Sequence, residues 1–168
     1  MRWSRIDIEG KKLKVEEALE ETHQGVRFKA PKSKAGIRTI TLPDILVGVL
    51  REYRREQLEV RLRLGLGRLA DDALLFSHLN GEPIRTTVVS KRWMRCARAI
   101  GMPEITFHAL RHTHASALID AGVDIVTISK RLGHKKPDVT LRVYSHLFRN
   151  DDSKAAGAIN AMSGLMVS

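Results

Sequence analysis

Residues 106–148 read TFHALRHTHASALIDAGVDIVTISKRLGHKKPDVTLRVYSHLF, and this stretch decides the fold. Thr106 is placed to cap a helix from Phe107 to about Ala121, which Gly122 ends. Asp124 caps a shorter helix through Leu132, ended by Gly133. After the basic turn Lys135-Lys136-Pro137, either Asp138 or Thr140 opens a third helix carrying Tyr144. On the first helix, His108 and Arg111 lie three apart and share a face. A guanidinium gives a phosphate a fixed fork of donors, and an imidazole beside it adds another. His134 follows a helix-ending glycine, where the backbone can approach a ligand closely. Tyr144 is a phenol, whose ordinary pKa near ~10 makes it a poor nucleophile unless cations stabilise it as it ionises. Together these residue types suit phosphoryl transfer on a polyanion backbone.

Composition narrows the partner. The chain has 168 residues and 43% hydrophobic content, enough for one domain with a substantial core and too apolar for a disordered chain. Its formal net charge is +10, with a pI near 10.2, which calls for nucleic acid or an acidic membrane face. No apolar run is long enough to span a bilayer, and no leader-like segment opens the sequence. The lone Cys96 excludes an intramolecular disulfide and a Cys-rich zinc site, and a reducing cytoplasm is the expected location. Aromatics make up only 5%, which argues against platforms that stack single-stranded bases.

Outward from the quoted stretch, the chain reads as sheet first and helices afterwards, an α+β order, predominantly helical. Trp3 to Val15 reads as a hairpin turning at Glu9-Gly10-Lys11. Residues 16–25, EEALEETHQG, read as a polar excursion or short helix, and Val26 to Ala30 as a strand. A turn at Lys34-Ala35-Gly36 leads into a strand over Ile37–Leu42. Pro43-Asp44 opens a helix in which Ile45, Leu46, Val49, Leu50, Tyr53, Leu58 and Leu62 keep helical spacing, with arginines 51, 54, 55, 61 and 63 on the other face. Those arginines are equally compatible with a solvated face and a DNA-facing one. Gly65 and Gly67 break the helix, Ala73 to Ser77 is a short apolar segment, and Asn80-Gly81 is a turn. Thr86 or Thr87 is expected to cap a helix through Ala99 that presents Lys91, Arg92, Arg95 and Arg98.

The HxxR of HALRH, the Leu-Gly-His at 132–134 and a tyrosine ten residues later resemble the tyrosine recombinases, also called phage-type integrases. RWSRIDIEGKKLKV resembles the strand pair following that family's first catalytic arginine. PKSKAGIRTITLP resembles the hairpin bearing its catalytic lysine, and LLFSHLNGEPI with the helix after it also fits. The resemblance runs from residue 2 to about 149 and implies an integrase-like, DNA breaking-rejoining fold. Residues 1–150 would be the catalytic domain without its first helices, and residues 151–168 a tail that is helical or packs onto a neighbouring protomer.

The resemblance also implies roles. Tyr144 attacks the scissile phosphodiester and becomes a 3′-phosphotyrosyl link. Arg111 clamps the non-bridging oxygens, and His108 and His134 donate to them. His108 is the residue assigned to take the tyrosine proton. Lys34 protonates the 5′-oxygen leaving group, preferred over its neighbour Lys32 because it stands at the turn before Gly36. His112 and His114 are read as structural or as side chains that support the site residues from behind. The link conserves bond energy, so no nucleotide cofactor is implied, and no metal. The partner implied is duplex DNA, with self-association of protomers during synapsis. Phosphate contacts are expected from Lys32, Arg38, Lys91, Arg92, Lys135 and Lys136. The family also carries an arginine and an acidic residue on a helix ahead of the RWSRID-like strand, and no residue of this sequence takes that place, Arg2 matching a non-catalytic position. Little or no recombinase activity is therefore expected of these 168 residues alone.

Two other readings compete. DIVTISKRLGHKKPDVTLRVY has the helix, glycine turn, helix cadence of a helix-turn-helix, so a non-catalytic DNA-binding module is the alternative, though it leaves His108, Arg111 and Lys34 as coincidences. His108 and His112 have the i, i+4 spacing of a zinc-binding helix. Ala109 stands where such helices carry their glutamate base, and no carboxylate ligand follows.

Overall fold

The structure is a computed structural model and describes residues 1–23, 25–147, 156–157 and 159–162. A three-stranded antiparallel sheet is made by β1 (Ile6–Asp7), β2 (Lys12–Val15) and β5 (Arg38–Thr41) in that order. Leu13 faces Ile6 on one side and Ile40 on the other. The turn between β1 and β2 is closed by Asp7 Oδ1 accepting from Gly10 N at 2.7 Å. The segment 73–75 joins this layer through main-chain bonds, Trp3 N to the Ala73 carbonyl and Leu75 N to the Met1 carbonyl.

The helices α1 (Asp44–Arg63), α2 (Thr86–Ala99), α3 (Ala109–Asp120), α4 (Ile125–Leu132) and α5 (Pro137–Tyr144) follow. The mixed α+β order expected from sequence is therefore observed. Of the tail, residues 156–157 and 159–162 are helical, and the rest of it lies outside the described residues.

Four sequence expectations are corrected. Residues 16–25 contain a strand, β3 (Ala18–Thr22), which pairs antiparallel with β4 (Gly25–Lys29) as a separate hairpin. The acidic residues that suggest an excursion are matched by cations across the pair: Glu20 bonds both Arg27 and Lys29. Helix α1 turns Val47 and Leu50 inward and leaves Ile45, Val49 and Leu62 exposed at 80%, 58% and 81%. Periodicity fixes spacing on a helix but not which way the helix faces. Helix α2 is capped by neither threonine. The carboxylate of Glu21, brought in by β3, accepts from Thr86 N, Thr87 N and Thr86 Oγ1. Helices α3 and α5 start at Ala109 and Pro137, a shift that leaves His108 as the residue before the first turn of α3.

Two apolar clusters result. Trp3, Leu42, Val47, Leu50 and Leu75 bind the sheet to α1, with Gln57 satisfying both the Trp3 indole and the Leu75 carbonyl. Ala115, Ile119, Ile128, Leu132 and Tyr144 form the core of α3, α4 and α5. Helix α4 also packs on β5, so the outer strand of the sheet meets the helical cluster along one seam. The candidate site lies at that seam.

Candidate active site

The last turn of α4 organises the site. Its terminal carbonyls have no partner within the helix and sit at the negative end of the helix dipole. Three arginines from three elements converge there. Arg38 of β5 donates from Nε to the Arg131 carbonyl at 2.9 Å and from Nη1 to the Gly36 carbonyl at 3.0 Å. Arg111 of α3 donates from Nη2 to the Leu132 carbonyl at 2.6 Å. Arg131 itself reaches the Thr41 carbonyl at 3.1 Å and His114 Nε2 at 3.0 Å. These bonds go to carbonyl oxygens and an imidazole. Among the described residues no carboxylate pairs with any of the three.

Gly133 lets them come this close. Its φ is 76°, the left-handed region that glycine adopts freely. A Cβ there would meet Arg38 Nη1 at 2.7 Å and Cζ at 3.0 Å. The turn also carries His134 N back to the Ser129 carbonyl and sets the His134 ring against Thr140, Nδ1 to Oγ1 at 2.7 Å. Thr140 is fully buried, so this contact fixes the ring.

Lys34 heads a short 3-10 turn, Lys34–Gly36, between β4 and β5, and both Lys34 and Lys32 are exposed. A Cβ on Gly36 would stand 2.4 Å from Pro31 Cβ, so only glycine closes this loop. The loop backbone adjoins Gly133, whose hypothetical Cβ would lie 3.3 Å from the Ala35 carbonyl. A cleft of about 540 Å³ runs along the seam, bounded by Ala35, Arg38, Lys130, Arg131, His134 and Lys135. The lysine-bearing loop and the Gly-His turn thus share one basic cleft.

Tyr144, at the end of α5, is 4% exposed. Its hydroxyl lies 2.9 Å from His112 Nδ1. The His112 ring in turn meets His108 edge to face at 5.0 Å between centroids. His108 is exposed, immediately before the first residue of α3. The sequence reading missed the His112 contact. Its only sequence signal is the i, i+4 spacing from His108, which puts both imidazoles on one face.

The electrostatics centre on Arg111. Burial, then the Arg111 charge, holds the Arg38 guanidinium below its usual range. Burial, then Arg111 and Arg38, lowers the His134 imidazole. Burial, then Arg131 and Arg111, lowers that of His114. Burial raises the Tyr144 phenol, and the Arg111 cation opposes that rise. The net effect on the Tyr144 phenol in the free protein is that of burial, with Arg111 acting in the opposite direction.

The remaining residues expected to meet DNA are dispersed around this centre. Lys91 and Arg92 are exposed on α2, and Lys135 and Lys136 are exposed on the turn after Gly133. Arg38 is directed inward, its Nε and Nη1 committed to the two carbonyls. The arginines of α1 are used locally: Arg51 pairs with Glu9, Arg55 with Glu52 and Glu59, and Arg54 lies over the Trp3 ring at 5.4 Å. Among the described residues no group of three or more His, Cys, Asp or Glu is arranged to hold a metal ion, and no helix is long and apolar enough to cross a membrane.

Comparison with known proteins bears on the family and the fold. The phage integrase family model matches residues 1–151. A tyrosine recombinase XerC-like protein of Caldanaerobacter subterraneus subsp. tengcongensis is 31% identical over 171 residues, covering 95% of this chain and 44% of that protein. The ICEBs1 integrase of Bacillus subtilis is 30% identical over 130 residues, 77% of this chain and 35% of its own length. The chain thus spans less than half the length of these curated relatives. Among solved structures, the Tn1549 transposon integrase in complex with a circular intermediate DNA superposes with a TM-score of 0.70 at 20% identity, covering 96% of this chain and 52% of that one. The XerA recombinase gives a TM-score of 0.60 over 96% of this chain and 50% of its own. At such identity the structural likeness is one of fold.

Proposed function

The chain belongs to the phage integrase family, and we propose that its residues 1–150 are the catalytic region of a site-specific DNA recombinase that breaks and rejoins duplex DNA through a phosphotyrosyl link. The observation that carries this reading is the cluster of three arginines without a carboxylate partner among the described residues, gathered at the end of α4 beside His134, with Arg111 acting on Tyr144. Cations packed together without counter-charge favour a polyanion in the cleft, and a scissile phosphate supplies it.

In this reading Tyr144 Oη attacks phosphorus and displaces the 5′ oxygen. Arg111, His108 and His134 hold the non-bridging oxygens as charge builds on them. Arg111 is anchored to the Leu132 carbonyl and His134 to Thr140, so both donors are pre-oriented before DNA arrives. The phosphate charge also reverses the burial effect on His134, favouring its charged form in the complex. Lys34, exposed on its loop, protonates the leaving 5′ oxygen. Lys32, Lys91, Arg92, Lys135 and Lys136 contact flanking phosphates, while Arg38 braces the site from within. Protomers associate on DNA, with the tail after residue 150 reaching a neighbour. The helix-turn-helix-like alternative accounts for α4 and α5 but leaves the arginine cluster without a purpose.

The family resemblance assigns one further transition-state arginine ahead of Trp3, and none of these 168 residues fills that role. Removing one such donor slows phosphoryl transfer by roughly 10³–10⁵, or about 4–7 kcal/mol of barrier. The 168 residues alone are therefore proposed to bind DNA while forming little covalent adduct.

The test uses the longest in-frame polypeptide that contains these residues. Tyr144→Phe is expected to abolish SDS-stable protein–DNA adducts and to leave plasmid affinity unchanged. Lys34→Ala is expected to block cleavage of ordinary DNA but not of DNA with sulfur in place of the 5′ bridging oxygen, since a thiolate leaves without a proton. Adducts that survive Tyr144→Phe overturn the reading.

A further inference from the structure

We infer that His112, and not His108, is the base that removes the proton from Tyr144. The inference rests on the reading of Tyr144 as the nucleophile, and it goes beyond that reading in naming the proton's destination. Three observations converge. The Tyr144 hydroxyl is 2.9 Å from His112 Nδ1, within direct transfer distance. The phenol is 4% exposed, so bulk water does not compete for its proton, and the burial that raises its pKa makes an acceptor in contact a requirement. His112 itself is an exposed residue, so it links the buried phenol to the protein surface and can pass the proton on.

His108 is placed differently. It precedes the first turn of α3 and touches the edge of the His112 ring at 5.0 Å between centroids, while the Tyr144 ring lies 5.6 Å from His112. The order along the face is thus His108, His112, Tyr144. His108 keeps its place as a donor to phosphate oxygens, and His112 stands between it and the nucleophile.

The step balances as follows. The phenolic O–H bond breaks and its proton passes to His112 Nδ1, which requires the neutral ring to carry its hydrogen on Nε2. An O–P bond forms between Tyr144 and the scissile phosphorus. The P–O5′ bond breaks, its electron pair stays on O5′, and that oxygen takes a proton from Lys34. On rejoining, the 5′ hydroxyl attacks, Lys34 recovers its proton and His112 returns its own to the phenolate.

Two measurements test this. In the 168-residue chain without DNA, long-range ¹⁵N–¹H correlation of the His112 ring is expected to report Nε2 protonated and Nδ1 bare when the ring is neutral. A neutral ring protonated on Nδ1 makes the phenol an acceptor and overturns the inference. In the longest in-frame polypeptide, with negatively supercoiled plasmid as the probe, adduct formation is followed from pH 5 to 9. His112→Gln, which keeps a polar partner for the phenol but cannot take a proton, is expected to slow adduct formation by about 10²–10⁴-fold and to erase the acid-side inflection. His108→Gln is expected to slow the reaction and keep that inflection. An inflection that vanishes with His108→Gln and survives His112→Gln assigns the base to His108. If adducts persist in Tyr144→Phe, the nucleophile assignment fails instead, and the ring-nitrogen result stands apart from it.

Discussion

Arg38 Nε donates to the Arg131 carbonyl at 2.9 Å, joining residues 93 positions apart and tying the strand after the Lys34 loop to the turn that carries His134. Nη1 of the same guanidinium holds the Gly36 carbonyl, so one half-buried side chain fixes both edges of the cleft. Arg38→Met removes two charge-assisted bonds and leaves the Arg131 and Gly36 carbonyls without that donor, at a cost of about 2–4 kcal/mol. Arg38→Lys keeps the charge but not the fork and is expected to recover less than half of that. Urea denaturation of the two variants measures the difference, and equal stabilities contradict the bracing role.

Glycine substitutions separate backbone strain from crowding. Gly122 and Gly133 have φ of 74° and 76°, but a Cβ at Gly122 meets nothing within 4 Å, whereas one at Gly133 meets the Arg38 guanidinium. Gly122→Ala is expected to cost about 1–2 kcal/mol, the left-handed penalty alone. Gly133→Ala is expected to cost about 1–3 kcal/mol more and to weaken DNA binding, because Arg38 must move. Thermal or urea unfolding together with plasmid binding reads both effects.

Those two glycines are also where the sequence is most readable. Gly122, Asp124 and Gly133 bound α3 and α4 by bonds made within a few residues, Asp124 accepting from Val126 N and Thr127 N as its position predicts. Those local signals set where α3 ends and where α4 begins and ends. What sequence did not reveal depends on distant partners. β3 is a strand because Arg27 and Lys29 answer Glu20, and α2 begins where Glu21 reaches it. The inward face of α1 follows from Trp3 and Leu75, not from its own spacing. The His112 contact needs α5 folded against α3: the i, i+4 spacing puts the His108 and His112 rings on one face but does not bring Tyr144 to them.

The Glu21 cap gives a separate stability prediction. Glu21→Ala removes the acceptor that the first amides of α2 share and is expected to lower the melting temperature, and Glu21→Gln less, since an amide oxygen still accepts. Circular dichroism melts of both variants check the order. An unchanged melting temperature for Glu21→Ala contradicts the cap.

The histidines make stability and binding depend on pH in opposite senses. His134 and His114 have folded-state pKa values below the ordinary value of 6.5, so below it the unfolded chain binds more protons than the folded one. Stability is fully present above 6.5 and is lost as pH falls from there through the folded values. A phosphate in the cleft favours charged His134, so DNA binding takes up protons, and affinity rises as pH falls through the same window. Denaturation and binding titrations at pH 5.5 and 7.5 test both signs.

Binding to DNA is expected to weaken steeply with salt, as follows from phosphate contacts by a chain of net charge +10. Lys135→Ala is expected to reduce the slope of log affinity against log salt by about 1. Arg51→Ala, whose side chain pairs with Glu9, is expected to leave the slope unchanged.

Tandem mass spectrometry of the covalent adduct tests the central claim most directly. The longest in-frame polypeptide containing these residues is incubated with supercoiled plasmid, trapped with SDS, and digested with nuclease and protease. The account predicts a nucleotide bound through its 3′ phosphate to the peptide containing Tyr144, at that tyrosine and at no other residue. A nucleotide on Tyr53, on a serine or on a histidine, with Tyr144 unmodified, contradicts it.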